Sequence, residues 1–297
     1  MVEGAKAYLE LSSAALDAQK DDKFSVPKSM KDGRLGGVHM RTPQAHQQFT
    51  DASGTKKTFG LFKHQRQCLN WMSTVRRGLI ALDAGMGKTP TVITFMEHLK
   101  SIGKTKKAIL FLPPSLMHQW PKEIATYAPG VDKSKILNLA GCSLEERKEI
   151  LKSKLAQEAE YIIISTGTLN GGGTAEGAML EGHGWDSGLG NDGTGGTDDE
   201  LIKILKDLDG AVMEGREYAF GLTATPMPNS PMDLFHLTDL FAPGSIGEQA
   251  EWEGTFAGTT WDGSRWHVKD PARLVEMRGR LRPYVFYRLI TDPEVVS

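Results

Sequence analysis

The chain is 297 residues long, 39% hydrophobic and 24% charged, with a formal net charge of −2. That length holds one large domain or two modest ones with a packed core, and so balanced a charge makes no demand for nucleic acid, so any basic surface must be local. Two cysteines, Cys68 and Cys142, exclude a disulfide framework or a zinc site and fit a reducing compartment, while no apolar run nears the ~20 residues of a membrane span and the N-terminus lacks a secretory pattern.

Residues 1–58 read as a polar N-terminal extension. Ala5 to Ala18 can form a short amphipathic helix. Gln19 to Lys57 is polar and broken by Pro27, Gly33, Gly36, Gly37 and Gly54. Its many Lys and Arg residues suit a solvated tail, with a nucleic-acid arm as the alternative. From Leu61 the texture changes. Apolar residues at helical spacing (Leu61, Cys68, Leu69, Met72) predict a helix with one buried face.

Gly78 to Thr94 carries the most chemistry. Leu79-Ile80-Ala81-Leu82 has the length of a buried strand. Gly85-Met86-Gly87-Lys88-Thr89 is a glycine-rich turn, and an apolar stretch from Val92 to Leu99 can be a helix. Strand, glycine loop, Lys-Thr and helix is the order of a phosphate-binding loop. Glycines let backbone N–H groups turn inward around a phosphate, and the helix N-terminus adds partial positive charge. Lys88 would reach the β- and γ-phosphates and the Thr89 hydroxyl would ligate Mg²⁺. The strict pattern G-x-x-x-x-G-K-[ST] has Leu82 where its first Gly belongs. Pro90 is tolerable so early in a helix. An ordinary Gly-rich turn containing Lys-Thr is the alternative.

Further along, Ala108 to Leu112 reads as a buried strand with a basic lead-in (Lys106, Lys107) and a Pro113-Pro114 stop. Ser115 can cap a helix bearing Leu116, Trp120 and Ile124. Val131 to Leu139 reads as a strand region, and Cys142 to Glu158 as a capped, charged helix. Tyr161 to Thr166 and Tyr218 to Thr223 read as strands, and Met232 to Phe241 as an amphipathic helix. Short apolar strands alternating with helices predict an α/β fold, mainly a parallel sheet with helices on both faces. Residues 171–196 are glycine-rich and unsuited to a core strand. Thr197 to Glu200 can cap a helix over Leu201 to Leu208.

Four stretches in this order carry a resemblance: Asp83 to Thr89, Leu110 to Trp120, Gly221 to Asn229, and Leu281 to Arg288. Together they resemble the first RecA-like lobe of superfamily-two helicases, most closely the Swi/Snf-type double-stranded DNA translocases. That branch reads D-E-M-G-x-G-K-T, P-x-S-L-x-x-x-W, L-T-G-T-P-x-x-N and L-R-P-[apolar]-x-x-R-R. The resemblance runs from Leu61 to Arg288. It implies a RecA-like P-loop domain over 59–245, a C-terminal segment (246–297) packed on it, ATP and Mg²⁺ as cofactors, and duplex DNA as partner. It also implies a second RecA-like lobe, not recognisable before Ser297, supplied by the same gene or by a partner chain. The setting would be cytoplasmic and nucleoid-associated, or nuclear.

The resemblance also assigns roles. Gln65 matches the glutamine that contacts adenine, with a surface helix residue as the alternative. Pro114 and Ser115 match the element that grips the DNA backbone, and Trp120 in that element is expected in the core. Thr223 and Thr225 match the T-x-T-P element that couples hydrolysis to domain movement. Family members carry an Asp-Glu-x-His strand whose acids hold Mg²⁺ and polarise the attacking water, and no such sequence is present. The candidates are Glu181 (in Leu180-Glu181-Gly182-His183), then Asp199-Glu200, then Asp186. Without its acidic partner, a phosphate loop can hold ATP yet turn it over slowly. The rivals are a catalytically weak nucleotide- or DNA-binding module and a different P-loop enzyme such as a nucleotide kinase. Trp252, Phe256, Trp261 and Trp266 suit packing before base stacking. Arg273, Arg278, Arg280, Arg282 and Arg288 form either a DNA-facing strip or an edge for the second lobe.

Overall fold

The computed structural model describes residues 13–21, 48–50, 56–58, 61–128, 130–166, 204, 217–227, 231–257, 259–261, 266–268 and 271–292. Helix α1 (Lys63–Val75) turns into strand β1 (Arg77–Leu82) through Arg76, whose left-handed backbone (φ 64°) closes its N–H on the Met72 carbonyl. There follow α2 (Lys88–Ser101), β2 (Ala108–Leu112), α3 (Trp120–Tyr127), β3 (Ile136–Asn138), α4 (Leu144–Lys152), α5 (Lys154–Glu158) and β4 (Tyr161–Ser165). The second half supplies β5 (Ala219–Thr223), α6 (Pro231–Phe241), α7 (Gln249–Trp252), α8 (Pro271–Leu281) and β6 (Val285–Arg288). There are also two antiparallel ribbons, Gln48–Thr50 with Lys56–Thr58 and Thr259–Trp261 with Trp266–Val268.

The larger strands form two parallel sheets, ordered β6-β1-β5 and β2-β4-β3. Parallel strands need crossovers, and helices packed on the sheets cover most of their faces, so the strands are largely apolar. Along β1, Ile80 and Leu82 face α1 and α2, while Leu79 and Ala81 share a core with Leu234, Trp252, Phe256, Met277 and Leu281. The second sheet repeats the division. Leu110, Leu112, Tyr161 and Ile163 join the first core, and Ile162 and Ile164 pack with Leu139, Leu151 and Ala156.

Aromatic rings lock α1 and α2 onto the first sheet. Trp71 lies 5.8 Å from both Phe220 and Phe286, and Phe95 meets Phe220 edge-on at 5.7 Å. Tilted and edge-to-face pairs at these separations suit the ring quadrupoles. The Trp71 indole also donates to the Pro283 carbonyl at 2.9 Å. At the other end of α2, buried Glu97 accepts from the Tyr161 hydroxyl and pairs with Lys100, which also reaches Glu160 at 2.7 Å.

Several sequence expectations change in detail. Residues 13–18 are helical, and the segment after them is docked on the lobe. Gln19 is buried; its Nε2 donates to the Arg282 carbonyl (2.7 Å) and its own carbonyl accepts from Arg288 (3.0 Å). Gln67 and Asn70 of α1 donate to the Lys20 and Asp21 carbonyls. Helix α2 begins at Lys88, before Val92. The charged helix expected over Cys142 to Glu158 is split at Ser153, and its cap is Ser143, paired with Glu146 in a capping box. Lys107 is buried, its amine donating to the Ala156 and Gln157 carbonyls at the end of α5, where a cation complements the helix dipole. Trp120, Trp252 and Phe256 are core residues. Of the helix expected over Leu201 to Leu208, only Ile204 is described.

Gly78 offers a direct test of the first sheet. A Cβ there would lie 2.4 Å from the Tyr284 carbonyl oxygen and 2.9 Å from the Trp71 ring. Gly78→Ala is therefore expected to destabilise the chain by about 1–3 kcal/mol. Urea unfolding should show a lower midpoint at unchanged slope.

Candidate functional site

Strand β1 ends at Leu82, and five residues, Asp83 to Gly87, bring the chain into α2. Gly85 (φ 81°) and Gly87 (φ 76°) hold left-handed backbone conformations, which cost L side chains about 1–2 kcal/mol each. Gly87 is the N-cap of α2, and no side chain caps that end. Pro90 occupies the third helical position, where an N–H would have no helical partner.

Carbonyls along this loop accept hydrogen bonds. Lys88 Nζ donates to the Leu82 and Asp83 carbonyls at 2.7 and 3.0 Å. His64 Nε2 contacts the Met86 carbonyl at 3.0 Å. Gly87 O accepts from the Thr91 hydroxyl at 2.7 Å and from Gln65 Nε2 at 3.4 Å. A peptide's C=O and N–H point in opposite directions, so the Met86 and Gly87 carbonyls, held by His64, Gln65 and Thr91, turn the Gly87 and Lys88 N–H groups the other way, while the Met86 N–H donates to the Asp83 carbonyl at 3.3 Å. Burial pushes the Lys88 amine below the ordinary lysine range, and the nearby Asp83 carboxylate opposes that shift. Asp83 in turn accepts from the Ile290 N–H at 2.8 Å.

These residues fit a phosphate: the Gly87 and Lys88 N–H groups, an uncapped helix start and a partly desolvated amine form a donor set whose amine rests on two carbonyls. They also fit a phosphate-borne Mg²⁺, which keeps waters and needs few protein oxygens. Half-buried Thr89, in the first turn of α2, offers one. Among the described residues no group of three or more His, Cys, Asp or Glu side chains is placed to hold a metal.

The other expected residues divide clearly. Gln65 is buried, which overturns its surface alternative; its Oε1 accepts from the Phe62 N–H at 2.9 Å. Thr223 pairs in register with Ala81, beside the end of β1, and its Oγ1 accepts from the Thr225 N–H at 3.0 Å. β5 thus brings the T-x-T-P element next to the loop. Pro114 and Ser115 form an exposed turn after β2, in the other sheet, with Met117 and Trp120 buried beneath them. Glu181, His183, Asp186, Asp198, Asp199 and Glu200 lie outside the described residues. Three of the five arginines have partners, and Arg278 and Arg282 are exposed. Arg280 pairs with Glu251 (2.8 Å) and Glu276 (3.0 Å), Arg273 pairs with Glu276, and Arg288 stacks on Phe286.

His64 was not legible as a site residue. It is buried, and its ring lies parallel to that of Phe62 at 5.7 Å. Burial, reinforced by Arg288, pushes its pKa down against the pull of the Met86 carbonyl. A single histidine next to Gln65 carries no spacing signal, and only the fold shows what it touches.

The model of the SNF2-related domain family matches residues 64–293. This chain belongs to that family. The SNF2-related domain described here is similar to ATP-dependent helicase FUN30 of Saccharomyces cerevisiae, 25% identical over 188 residues, covering 61% of this chain and 16% of that protein. It is similar to Switch 2 of Arabidopsis thaliana, 24% identical over 243 residues, covering 76% and 26%. It is also similar to the human DNA excision repair protein ERCC-6-like, 25% identical over 197 residues, covering 63% and 15%. The chain thus spans no more than 26% of the length of these relatives. Its fold matches the Sulfolobus solfataricus SWI2/SNF2 ATPase core domain with a TM-score of 0.51 at 19% identity, covering 80% of this chain and 45% of that one. That likeness establishes the RecA-like α/β class of the SNF2-related domain.

The two loop glycines separate strain from collision. A Cβ on Gly85 would meet nothing, whereas one on Gly87 would lie 2.3 Å from Gln65 Nε2. Both substitutions to Ala carry the left-handed penalty. Gly87→Ala is expected to weaken nucleotide binding clearly more than Gly85→Ala, as read by isothermal titration with ATP.

Proposed function

We propose that this chain is the ATP-binding lobe of an ATP-dependent DNA translocase of the Swi/Snf-like branch. The observation that carries the reading is the loop from Asp83 to Thr89, with the Met86 and Gly87 carbonyls held by His64, Gln65 and Thr91 and the Lys88 amine seated on the Leu82 and Asp83 carbonyls. Family membership and the helicase and DNA-repair names of its relatives support it.

In this reading the N–H groups from Gly87 to Thr89 hold the β- and γ-phosphates of ATP, with Gly85 and Met86 shaping the loop. Lys88 leaves its two carbonyls for the more negative phosphate oxygens. Thr89 supplies one oxygen to Mg²⁺, which would neutralise charge developing on the transferred phosphoryl group. Gln65 meets the adenine. Thr223 and Thr225, one strand away, sense the phosphate and pass its state to a second RecA-like lobe, from the same gene or a partner chain. Pro114 and Ser115 hold the DNA backbone through an exposed turn suited to phosphate contacts. Glu181 or Glu200 activates the attacking water. Opening and closing of the lobes would then move the pair along duplex DNA, inside the cell, in the nucleoid or the nucleus.

A second reading has its own observation. The sequence contains no Asp-Glu-x-His, which favours a module that binds nucleotide or DNA and hydrolyses ATP weakly or not at all.

ATP hydrolysis by the chain with and without duplex DNA, beside Lys88→Ala, decides between them. The proposed reading expects DNA-stimulated turnover, with Lys88→Ala weakening ATP binding roughly ten- to a hundredfold, as for the loss of a charged hydrogen bond. Glu181→Gln and Glu200→Gln would then locate the acid. ATP binding without turnover, persisting when a second lobe is supplied, would establish the second reading.

A further inference from the structure

Two successive side chains at the start of α1, His64 and Gln65, reach two successive carbonyls of the loop, those of Met86 and Gly87. The Gly87 carbonyl has other donors in Thr91, through its hydroxyl and its N–H. His64 is the side chain that meets the Met86 carbonyl. We propose that His64 is a positioning residue for phosphate binding: it holds the Met86–Gly87 peptide so that the Gly87 N–H points at the phosphate. The inference rests on the nucleotide-binding reading of the loop.

The geometry supplies the reasons. A carbonyl only accepts, so His64 Nε2 carries the proton and donates to Met86 O. The peptide is planar, so fixing that carbonyl toward α1 sends the Gly87 N–H to the opposite side, into the loop. Phe62, stacked on the imidazole, limits its rotation. Gly87 itself has a left-handed backbone, and glycine moves between such states readily. Without an external hold, that peptide would be free to flip and present its carbonyl to the phosphate.

Packing alone does not account for a histidine here. Among the described residues, His64 Nδ1 is buried and meets no hydrogen-bond partner. A buried polar atom left unmet is unfavourable, and an apolar ring of similar size would avoid it. Burial and the positive Arg288 both disfavour a second proton on the ring, and the Met86 carbonyl selects the neutral tautomer with its proton on Nε2.

The test compares His64→Phe, which keeps a ring and removes the donor, with His64→Gln, which restores an N–H at similar reach. Binding of ATP and of inorganic tripolyphosphate is measured by titration calorimetry on the full chain, with thermal unfolding alongside. His64→Phe is expected to lose roughly three- to tenfold affinity for both ligands, the scale of one hydrogen bond. His64→Gln is expected to recover most of that loss. Equal affinity in His64→Phe and the unchanged chain, or a loss confined to ATP, would overturn the inference and leave the nucleotide-binding reading intact. Failure of the unchanged chain to bind either ligand would overturn both. If His64→Phe does not fold, amide NMR of the unchanged chain decides: tripolyphosphate must shift the Gly87 N–H, and an unmoved Gly87 amide overturns the proposal.

Discussion

Everything functional in this lobe depends on β1 being buried on both faces and paired along both edges. Leu79, Ile80, Ala81 and Leu82 are almost fully excluded from water, with β6 on one side and β5 on the other. Burying each large aliphatic side chain contributes about 1.5–3 kcal/mol, against backbone propensities of a few tenths. Packing therefore sets the register, and a one-residue slip would exchange the two cores. The loop starts where the strand runs out, so its position is inherited from that register. Thr223 and Asp83 meet at the same end because β5 and β6 are parallel to β1.

Helix α2 joins two unlike electrostatic settings. Near its C-terminal end, Glu97, Lys100, Glu160 and Tyr161 form a closed network in which the buried carboxylate meets both a cation and a hydroxyl. Burial and the carboxylates push the Tyr161 phenol well above its usual range, so it remains a donor. At its N-terminal end, Lys88 rests on two carbonyls and is partly desolvated. A buried pair with good partners fixes structure. A desolvated cation held mainly by neutral oxygens remains available to an anion. One helix thus carries a sealed end that anchors it and, at the other, a partly desolvated amine resting on neutral carbonyls.

What the sequence disclosed follows the range of the interactions involved. Gly85, Gly87, Lys88 and Thr89 were readable as a candidate phosphate loop because such a loop is local: turn, charge and helix start occur within a few residues. Trp120, Trp252 and Phe256 were readable as core because large aromatics on amphipathic stretches seldom have another place. Gln65 was readable as a candidate by resemblance, but its bonds to Phe62 and Gly87 depend on how α1 docks. The buried Lys107 and the split of the helix at Ser153 arise from tertiary neighbours. So do the ties from Gln19 and Lys20 to Arg282, Arg288 and Gln67. No periodicity encodes contacts between residues so far apart. The start of α2 was placed late because Pro90 and the polar Lys-Thr pair interrupt the apolar pattern that marks its middle.

The pairing of β6 with β1 also constrains the order in which the molecule can be made. Leu79 and Ile80 leave the ribosome early, while Val285 and Phe286, their partners along one edge, are among the last described residues to emerge. Gln19, near the start, has its bonds to Arg282 and Arg288. At about 5–20 residues per second, the central strand waits on the order of ten seconds or more for its neighbour. During that interval its apolar edge is an open template for another chain. The last described strand therefore completes this sheet late, and with it come the bonds that tie Gln19, in the earliest described segment, to Arg282 and Arg288.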